Sequence, residues 1–283
     1  MTLTRADIQR LLDGHGLRPS RALGQNFVAD PNTVRRIVRL AGVAPGARVV
    51  EIGAGLGSLT LALAEAGAEV LAVEMDVRLV PILRQVVQGR PVTVVQADAL
   101  RLDWETLLAP NGAGAGPAPP WSLVANLPYN VATPLVIGVL ESAPRIGSML
   151  VMVQREVGER MAAKAGDAAY GAVSVKIAYW ATASVVGRVP STVFVPRPRV
   201  ESVLVRIERR AEPAVSVDLV PPDRLFAVVR AGFAHRRKML RRSLAGLVDP
   251  EAFARAGVEP EARAEELSVE DWGRLAAWRT SQG

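Results

Sequence analysis

A strand, a glycine turn and the start of a helix follow one another in the segment RVVEIGAGLGSLTLALAEA, residues 48–66. The mostly apolar run at residues 48–52 predicts a buried strand, and a helix is expected at residues 57–66. Between them, Gly53, Gly55 and Gly57 let the backbone turn tightly and come close to a ligand. This order is typical of a parallel sheet with helices on its faces.

The neighbouring segments repeat this alternation. We predict further strands at residues 69–74, 92–96, 122–125, 148–153, 182–189 and 200–207. Helices are predicted at residues 4–15, 77–87, 133–142 and 170–181, and another opens at Asp30-Pro31. The fold class is therefore α/β, with a Rossmann-like sheet of seven strands.

The character of the chain changes near residues 212–222, where prolines interrupt it. Beyond them, short helices are predicted at residues 223–233, 237–247, 250–256 and 268–278. We therefore predict an α/β domain at residues 1–211 and a small all-α domain at residues 212–283. The Gly/Ala/Pro stretch at residues 110–120 is expected to be a mobile loop.

Composition excludes several classes of protein. The 283 residues include no cysteine and only two histidines, so thiol catalysis, cysteine-held metals and a Ser-His-Asp triad have little support. No apolar run approaches the length of a membrane span, and no secretory signal is visible, so we expect a cytoplasmic protein without a membrane partner. The net charge of +6 makes a polyanionic partner plausible.

Three carboxylates accompany the glycine turn. Glu74 ends the second strand, about 20 residues further on, where it can accept hydrogen bonds from ribose hydroxyls. Asp98 follows the third strand and either accepts from an adenine amino group or caps the next turn. Glu51 is either electrostatic support for the site or an acceptor for loop amides. The spacing E-x-G-x-G-x-G differs from that of dinucleotide sites, so S-adenosylmethionine, which has a sulfonium cation and no phosphate, is the favoured cofactor.

A second motif, Asn126-Leu127-Pro128-Tyr129, follows the strand predicted at residues 122–125. Proline lacks an N–H, so this turn tends to present carbonyl oxygens. The side chain of Asn126 and a main-chain carbonyl of the Leu127-Pro128 pair are suited to accept both hydrogens of an aromatic amine, and Tyr129 offers a ring for stacking. Alone, the motif is more typical of a turn in which the tyrosine merely packs.

Taken together, these motifs resemble those of the ribosomal RNA adenine N6,N6-dimethyltransferases. GQNFVAD at residues 24–30 is similar to that family's N-terminal signature, although leucine is more usual at Val28, and FVPRPRVES at residues 194–202 is similar to a later one. Arg236-Arg237-Lys238 with Leu240, and RAEELS at residues 263–268, resemble the small-subunit, kasugamycin-sensitivity branch.

The resemblance implies dimethylation of two adjacent adenosines in the 3′-terminal hairpin loop of 16S ribosomal RNA, in biogenesis of the small (30S) subunit, by a monomer. Two rivals are a large-subunit dimethyltransferase of the macrolide-resistance type and an assembly factor without turnover. A nicotinamide oxidoreductase is a more distant alternative.

The resemblance also implies roles for individual residues. The positions that match the S-adenosylmethionine site are Asn26, Val28 (through its backbone), Gly53, Glu74, Asp98 and Asn126. The target base would meet Leu127, Pro128 and Tyr129, with Phe194 either a second wall of its pocket or a core aromatic.

The region from Arg224 to Arg242 contains seven basic residues and no acidic one. It is therefore expected to bind RNA phosphates through Arg236, Arg237, Lys238 and Arg241, unless it is simply a solvated helix face.

Overall fold

A computed structural model describes residues 2–20, 22–109, 120–235 and 238–278 of the chain. Seven strands form one sheet: β2 (Arg48–Ile52), β3 (Glu69–Glu74), β4 (Val92–Gln96), β5 (Trp121–Asn126), β6 (Ile146–Gln154), β7 (Ala181–Val189) and β9 (Ser202–Arg209). Their order is β4-β3-β2-β5-β6-β9-β7. The first five run parallel, whereas β9 is antiparallel to β6. The predicted seven-stranded α/β sheet is thus confirmed.

Two very short strands form a separate antiparallel pair, β1 (Phe27–Val28) with β8 (Phe194–Val195). In this register Val28 lies opposite Phe194. The pair joins the N-terminal signature to the later proline-rich signature, which the sequence did not predict.

The helices of the described residues are α1 (Arg5–Gly14), α2 (Pro31–Ala41), α3 (Ser58–Glu65), α4 (Val80–Val86), α5 (Trp104–Leu107), α6 (Ala132–Ser142), α7 (Arg155–Ala162), α8 (Ala172–Trp180), α9 (Pro222–Ala234), α10 (Leu240–Ser243), α11 (Pro250–Ala256) and α12 (Val269–Ala277). Helices α5 and α7 were not predicted. Most of the loop predicted at residues 110–120, and the start of the helix predicted at residues 237–247, lie outside the described residues.

Local chemistry explains where several elements begin and end. Asp30 caps α2 by accepting a hydrogen bond from the Thr33 amide at 2.8 Å, and Gly42, with φ of 67°, ends it. Helix α12 starts with a capping box, in which Ser268 and Asp271 exchange hydrogen bonds of 2.9 and 3.1 Å. Strands β2 and β6 are mostly buried, as expected for strands covered on both faces.

The chain divides into two compact units. One comprises Met1–Gly158 with Val185–Glu208, and the other Glu159–Ser184 with Arg209–Gly283. The second unit has its own aromatic core, which includes Tyr179, Phe226 and Trp272, and the Tyr170 hydroxyl donates to the Leu267 carbonyl at 2.8 Å. Our predicted boundary at residue 212 is near one of these divisions, but it did not assign residues 159–184 to the second unit. No helix in the described part of the chain is long and apolar enough to cross a membrane.

Candidate active site

A cavity of about 230 Å³ lies in the first unit, at the carboxyl ends of strands β2 to β5. This is the edge at which open α/β sheets bind ligands. All six residues predicted to hold the cofactor line it: Asn26, Val28, Gly53, Glu74, Asp98 and Asn126. Leu127, Pro128 and Tyr129, predicted to meet the target base, line it as well. The structure therefore brings both groups into one site.

The glycine turn forms the floor of the cavity by close approach of its backbone. Gly53 and Gly55 have φ of 72° and 59°, a region that disfavours side chains. A Cβ atom on Gly55 would lie 3.0 Å from the Phe27 ring, and one on Gly53 would lie 3.5 Å from Cδ of Pro128. A larger residue at Gly55 would therefore press on the Phe27 ring, and at both positions the backbone conformation would be strained by a side chain.

Glu74 is held rigidly by the backbone around it. Its Oε2 accepts a hydrogen bond from the Gly55 amide and its Oε1 accepts one from the Asp76 amide, both at 2.8 Å. Burial raises the pKa of Glu74, and these amide hydrogen bonds partly oppose the shift. Each carboxylate oxygen keeps a second lone-pair direction, so Glu74 can still accept from a pair of ribose hydroxyls.

The structure shows one of the two roles weighed for Asp98 and is compatible with the other. Its Oδ1 accepts the Leu100 amide at 3.0 Å, which is the local cap, and its Oδ2 lies 3.6 Å from Nε of Arg101. The same residue lines the cavity. Capping fixes the carboxylate in position and leaves it available as an acceptor for an exocyclic amine.

Glu51 is fully enclosed beneath the glycine turn, with only 2% of its surface exposed. Burial raises its pKa to about 8; the Thr60 hydroxyl opposes that shift and the Glu74 carboxylate adds to it. The loop amide of Gly55 bonds to Glu74 and not to Glu51. Of the two roles considered for Glu51, this disfavours the loop acceptor.

The N-terminal signature forms one wall of the cavity and is tied to the sheet edge. Gln25 donates from Nε2 to Asp76 Oδ2 at 2.8 Å, and Asp76 also bonds to Arg78 at 2.7 Å. These contacts, that with Arg78 above all, lower the pKa of Asp76 to about 2. Sequence reasoning assigned no role to Gln25, although it lies in the quoted signature, or to Asp76, because their contact joins residues 51 positions apart.

The amide of Asn126 has a defined orientation. Its Nδ2 donates to the Asn26 carbonyl oxygen at 2.9 Å, so Oδ1 remains as an acceptor. The Leu127 amide donates to the Met152 carbonyl at 3.1 Å, and the Pro128 carbonyl accepts from the Val131 amide at 3.2 Å. Since Pro128 already uses its carbonyl, that of Leu127 is the better candidate for a second acceptor.

The Tyr129 ring is anchored at its far end. Its hydroxyl lies 2.8 Å from Oγ of Ser202, the fully buried first residue of β9. Burial raises the pKa of Tyr129, so the phenol is neutral at physiological pH. Ser202 belongs to a quoted signature, but sequence reasoning gave it no role.

Phe194 lies in the hydrophobic core and not at the surface of the cavity, where a wall of the base pocket would be expected. It is fully buried, packs in the core cluster that contains Val28, and is not among the residues that line the cavity. Its placement matches the alternative of a core aromatic, while its role towards the base stays a prediction.

The cavity's chemistry fits S-adenosylmethionine. Its described lining contains three acidic side chains, Glu51, Glu74 and Asp98, and no lysine, arginine or histidine, which suits a cation without phosphate. Two buried polar atoms of the lining, Oε2 of Glu51 and Oγ of Ser58, have no hydrogen-bond partner in the described structure. Among all the residues that the structure describes, no group of three His, Cys, Asp or Glu side chains is placed to hold a metal ion.

Lys238 and Arg241, the described residues among those predicted to bind RNA, lie in the second unit. Arg241 forms an ion pair with Glu261 at 3.2 Å, and Arg224 donates to the Ala276 carbonyl at 2.6 Å. Lys238 is exposed, whereas Arg236 and Arg237 lie outside the described residues. Two arginines of the basic run, Arg224 and Arg241, thus already contact groups of the second unit, so the run is not uniformly available to bind phosphate.

Curated proteins of similar sequence carry the name of a ribosomal RNA methyltransferase. The ribosomal RNA small subunit methyltransferase A of Kineococcus radiotolerans is 47% identical, covering 98% of this chain and 91% of the relative. That of Thermobifida fusca is also 47% identical, covering 98% and 96%.

Solved structures are similar too. The 23S rRNA methyltransferase ErmE, 28% identical, matches with a TM-score of 0.67 over 88% of this chain and 98% of its own. A dimethyladenosine transferase from Plasmodium falciparum, 22% identical, shares the fold with a TM-score of 0.70 over 87% of this chain and 94% of its own. The family model for ribosomal RNA adenine dimethylase matches residues 17–281. The chain belongs to the ribosomal RNA adenine dimethylase family.

Proposed function

We propose that this protein transfers methyl groups from S-adenosylmethionine to the N6 atoms of two adjacent adenosines in the 3′-terminal hairpin loop of 16S ribosomal RNA. It acts in the cytoplasm as a monomer on the small (30S) ribosomal subunit during its biogenesis. The observation that carries the proposal is Asn126, whose amide orientation is fixed by Asn26 and whose Oδ1 is left as an acceptor at the cavity.

The strand order arranges the site residues in sequence along the sheet edge. Asp98 and Gly53 follow β4 and β2, and Glu74 and Asn126 are the last residues of β3 and β5; the strands are neighbours in the order β4-β3-β2-β5. Adjacent strands lie about 4.8 Å apart. An adenine at Asp98 and a ribose at Glu74 would place the remainder of the cofactor over β2, with its far end directed to Asn126.

The chain's own contribution to the reaction is alignment and hydrogen bonding. S-adenosylmethionine supplies an electrophilic methyl group on a sulfonium. Asn126 Oδ1 and the Leu127 carbonyl accept the two N6 hydrogens, which favours a pyramidal nitrogen whose lone pair points at the methyl carbon. Tyr129, held by Ser202, stacks on the adenine, and the apolar lining keeps water away.

The second transfer must proceed with one hydrogen bond fewer, since a monomethylated adenosine has a single N6 hydrogen. Asn126 is fixed by Asn26, whereas the Leu127 carbonyl belongs to a turn. We assign the remaining hydrogen to Asn126, with the added methyl group on the side of the turn.

The small subunit is favoured as partner over the large one. The curated relatives named above carry small-subunit names at 47% identity, whereas the large-subunit enzyme ErmE is 28% identical. Lys238, Arg236, Arg237 and Arg241 are proposed to contact RNA phosphates, which would position the subunit without reading its sequence.

Labelled S-adenosylmethionine and purified unmethylated subunits test this proposal. We expect label in 16S RNA only, at two neighbouring adenosines, each as the N6,N6-dimethyl form. Label confined to 23S RNA would establish the large-subunit alternative. Tight binding of small subunits without any label would establish an assembly factor without turnover, and calorimetry that detects NAD but not S-adenosylmethionine would indicate an oxidoreductase.

A further inference from the structure

Glu51 is a buried carboxyl to which the proposed reaction gives no role. It lies in β2, lines the cavity, and its Oε2 has no hydrogen-bond partner among the residues that the structure describes. Glu74, on the neighbouring strand, differs in that both of its oxygens accept backbone hydrogen bonds. A carboxyl that is enclosed but not satisfied is costly unless a ligand completes its environment.

The surroundings of Glu51 offer it no cation. Glu74 faces it from β3 and the Thr60 hydroxyl from α3, while Ser58, Asn26 and Asn126 contribute neutral groups to the same cavity. No described lysine, arginine or histidine lines that cavity. With burial raising its pKa to about 8, Glu51 is mainly the neutral acid at pH 7 in the free protein.

The position of Glu51 in the sheet places it under the cationic part of the cofactor. Strand β2 lies between β3, which carries Glu74, and β5, which carries Asn126. This step rests on the proposed function, in which Glu74 holds the ribose and Asn126 holds the acceptor amine. The sulfonium then lies between them, over β2, where a permanent positive charge favours the ionised form of a nearby carboxyl.

We propose that Glu51 is protonated in the free protein and releases its proton to solvent when S-adenosylmethionine binds, so that the new carboxylate pairs with the cofactor's positive charge. Methyl transfer converts the sulfonium into the neutral thioether of S-adenosylhomocysteine. The carboxylate then loses its partner and takes a proton back from solvent. Glu51 is thereby a specificity residue that distinguishes the charged methyl donor from the spent product.

The proposal fixes the direction of the pH dependence. Below pH 8, binding of the donor must first remove a proton from Glu51, so the affinity rises with pH and levels off above about 8. Between pH 7 and pH 9 the ionised fraction of the free protein rises about tenfold, and the affinity for the donor should rise by about the same factor. Affinity for S-adenosylhomocysteine should lack this contribution.

Titration calorimetry of the full chain with S-adenosylmethionine tests the proposal. At pH 7, in buffers with different ionisation enthalpies, the wild type should release nearly one proton for each donor bound and far less for each S-adenosylhomocysteine. Glu51→Gln should abolish both the difference in proton release between donor and product and the tenfold effect of pH on donor affinity. Because the cofactor's own amine titrates equally with both proteins, comparing wild type with this variant also corrects for that amine. Glu69→Gln, an exposed residue at the opposite end of β3, should behave as wild type.

Two results would overturn the proposal while leaving the proposed function intact: equal proton release by wild type and Glu51→Gln, or equal release on binding of donor and product. Failure of the wild type to bind the donor at all would instead contradict the proposed function. If Glu51→Gln does not fold, infrared difference spectra of the wild type still decide, because a protonated-carboxyl band must disappear when the donor binds. Persistence of that band would refute the proposal.

Discussion

Asn126 donates its Nδ2 hydrogen to the main-chain carbonyl of Asn26, 2.9 Å away and 100 positions earlier in the chain. The contact makes the amide directional, because only Oδ1 remains to accept from a substrate. It also links the motif after β5 to the N-terminal signature that lines the cofactor cavity. The two motifs recognised separately in the sequence are thus parts of one hydrogen-bonded site.

Replacing Asn126 should abolish transfer without loss of RNA binding. Asn126→Ala removes the acceptor for N6, and we expect kcat to fall by about 100-fold or more. Asn126→Asp keeps an acceptor but opposes a carboxylate to the Asn26 carbonyl, so it should fare no better. Single-turnover rates and filter binding of RNA measure the two effects, with Asn32→Ala, at an exposed site on α2, as the control. Full activity of Asn126→Ala would contradict the assigned role.

The hydroxyl of Tyr129 should matter for stability and its ring for activity, and two variants should distinguish these roles. Tyr129→Phe leaves the buried Ser202 hydroxyl without its partner, so the free energy of unfolding should fall by about 1–2 kcal/mol while activity changes little. Tyr129→Ala removes stacking as well, and kcat/KM should fall about 10- to 100-fold. Urea unfolding and steady-state kinetics distinguish these outcomes. Equal kcat/KM for the Phe and Ala variants would show that the ring does not contact the base.

Glu74→Gln should weaken cofactor binding selectively. The carboxylate accepts from the Gly55 and Asp76 amides and is proposed to accept from the ribose, and hydrogen bonds to a charged group contribute about 1.5–3 kcal/mol. We therefore expect affinity for S-adenosylmethionine to fall about 10- to 100-fold by calorimetry. RNA affinity should not change, and a parallel loss of both would indicate misfolding of the glycine turn.

Glu51→Gln should stabilise the free protein at alkaline pH. The pKa of Glu51 is about 8 in the folded state against an ordinary value of 4.5, so the folded state retains a proton that the unfolded state has lost. Wild-type stability therefore falls as pH rises between these values, whereas the variant lacks this slope. We expect the variant to gain about 2–4 kcal/mol at pH 8 relative to pH 4. Parallel stability profiles from urea unfolding would show that Glu51 is ionised when folded.

Among the basic residues, Lys238→Ala should weaken RNA binding more than Arg241→Ala. Arg241 already pairs with Glu261 at 3.2 Å, so part of its charge is neutralised before RNA binds. Lys238→Ala, and each of Arg236→Ala and Arg237→Ala, should reduce the slope of log affinity against log salt by about one. Unchanged slopes for all three would argue against phosphate contacts.

Local sequence patterns predicted the sheet because each strand and turn is encoded by contiguous residues. The strands at Arg48–Ile52, Glu69–Glu74 and Val92–Gln96 have the predicted bounds. Two-residue strands such as β1 and β8 are too short for any alternation to be read, so the pairing that buries Phe194 opposite Val28 could not be foreseen. Ser202 was overlooked for a related reason, since its partner Tyr129 lies 73 positions away.

The division of the chain into two units also depends on contacts between residues far apart in sequence. Residues 159–184 continue directly from the sheet region, and nothing in their composition marks a boundary. Their place in the second unit follows from contacts such as that between Tyr170 and Leu267, 97 positions apart. The prolines near residue 212 identify the last crossing of the chain from the first unit to the second. They do not reveal that an earlier segment, residues 159–184, also belongs to the second unit.

The wall that Gln25 and Asn26 contribute to the cavity sets an order of events during protein synthesis. Their bonds to Asp76 and Asn126 span 51 and 100 positions, and β1 pairs with β8 only when Phe194 is available. The segment therefore gains its partners stepwise, since Asp76 and Asn126 are synthesised before Phe194. A nascent chain that ends before residue 194 can already contain β2 to β6, yet it lacks the strand that pairs with β1 beside the cavity.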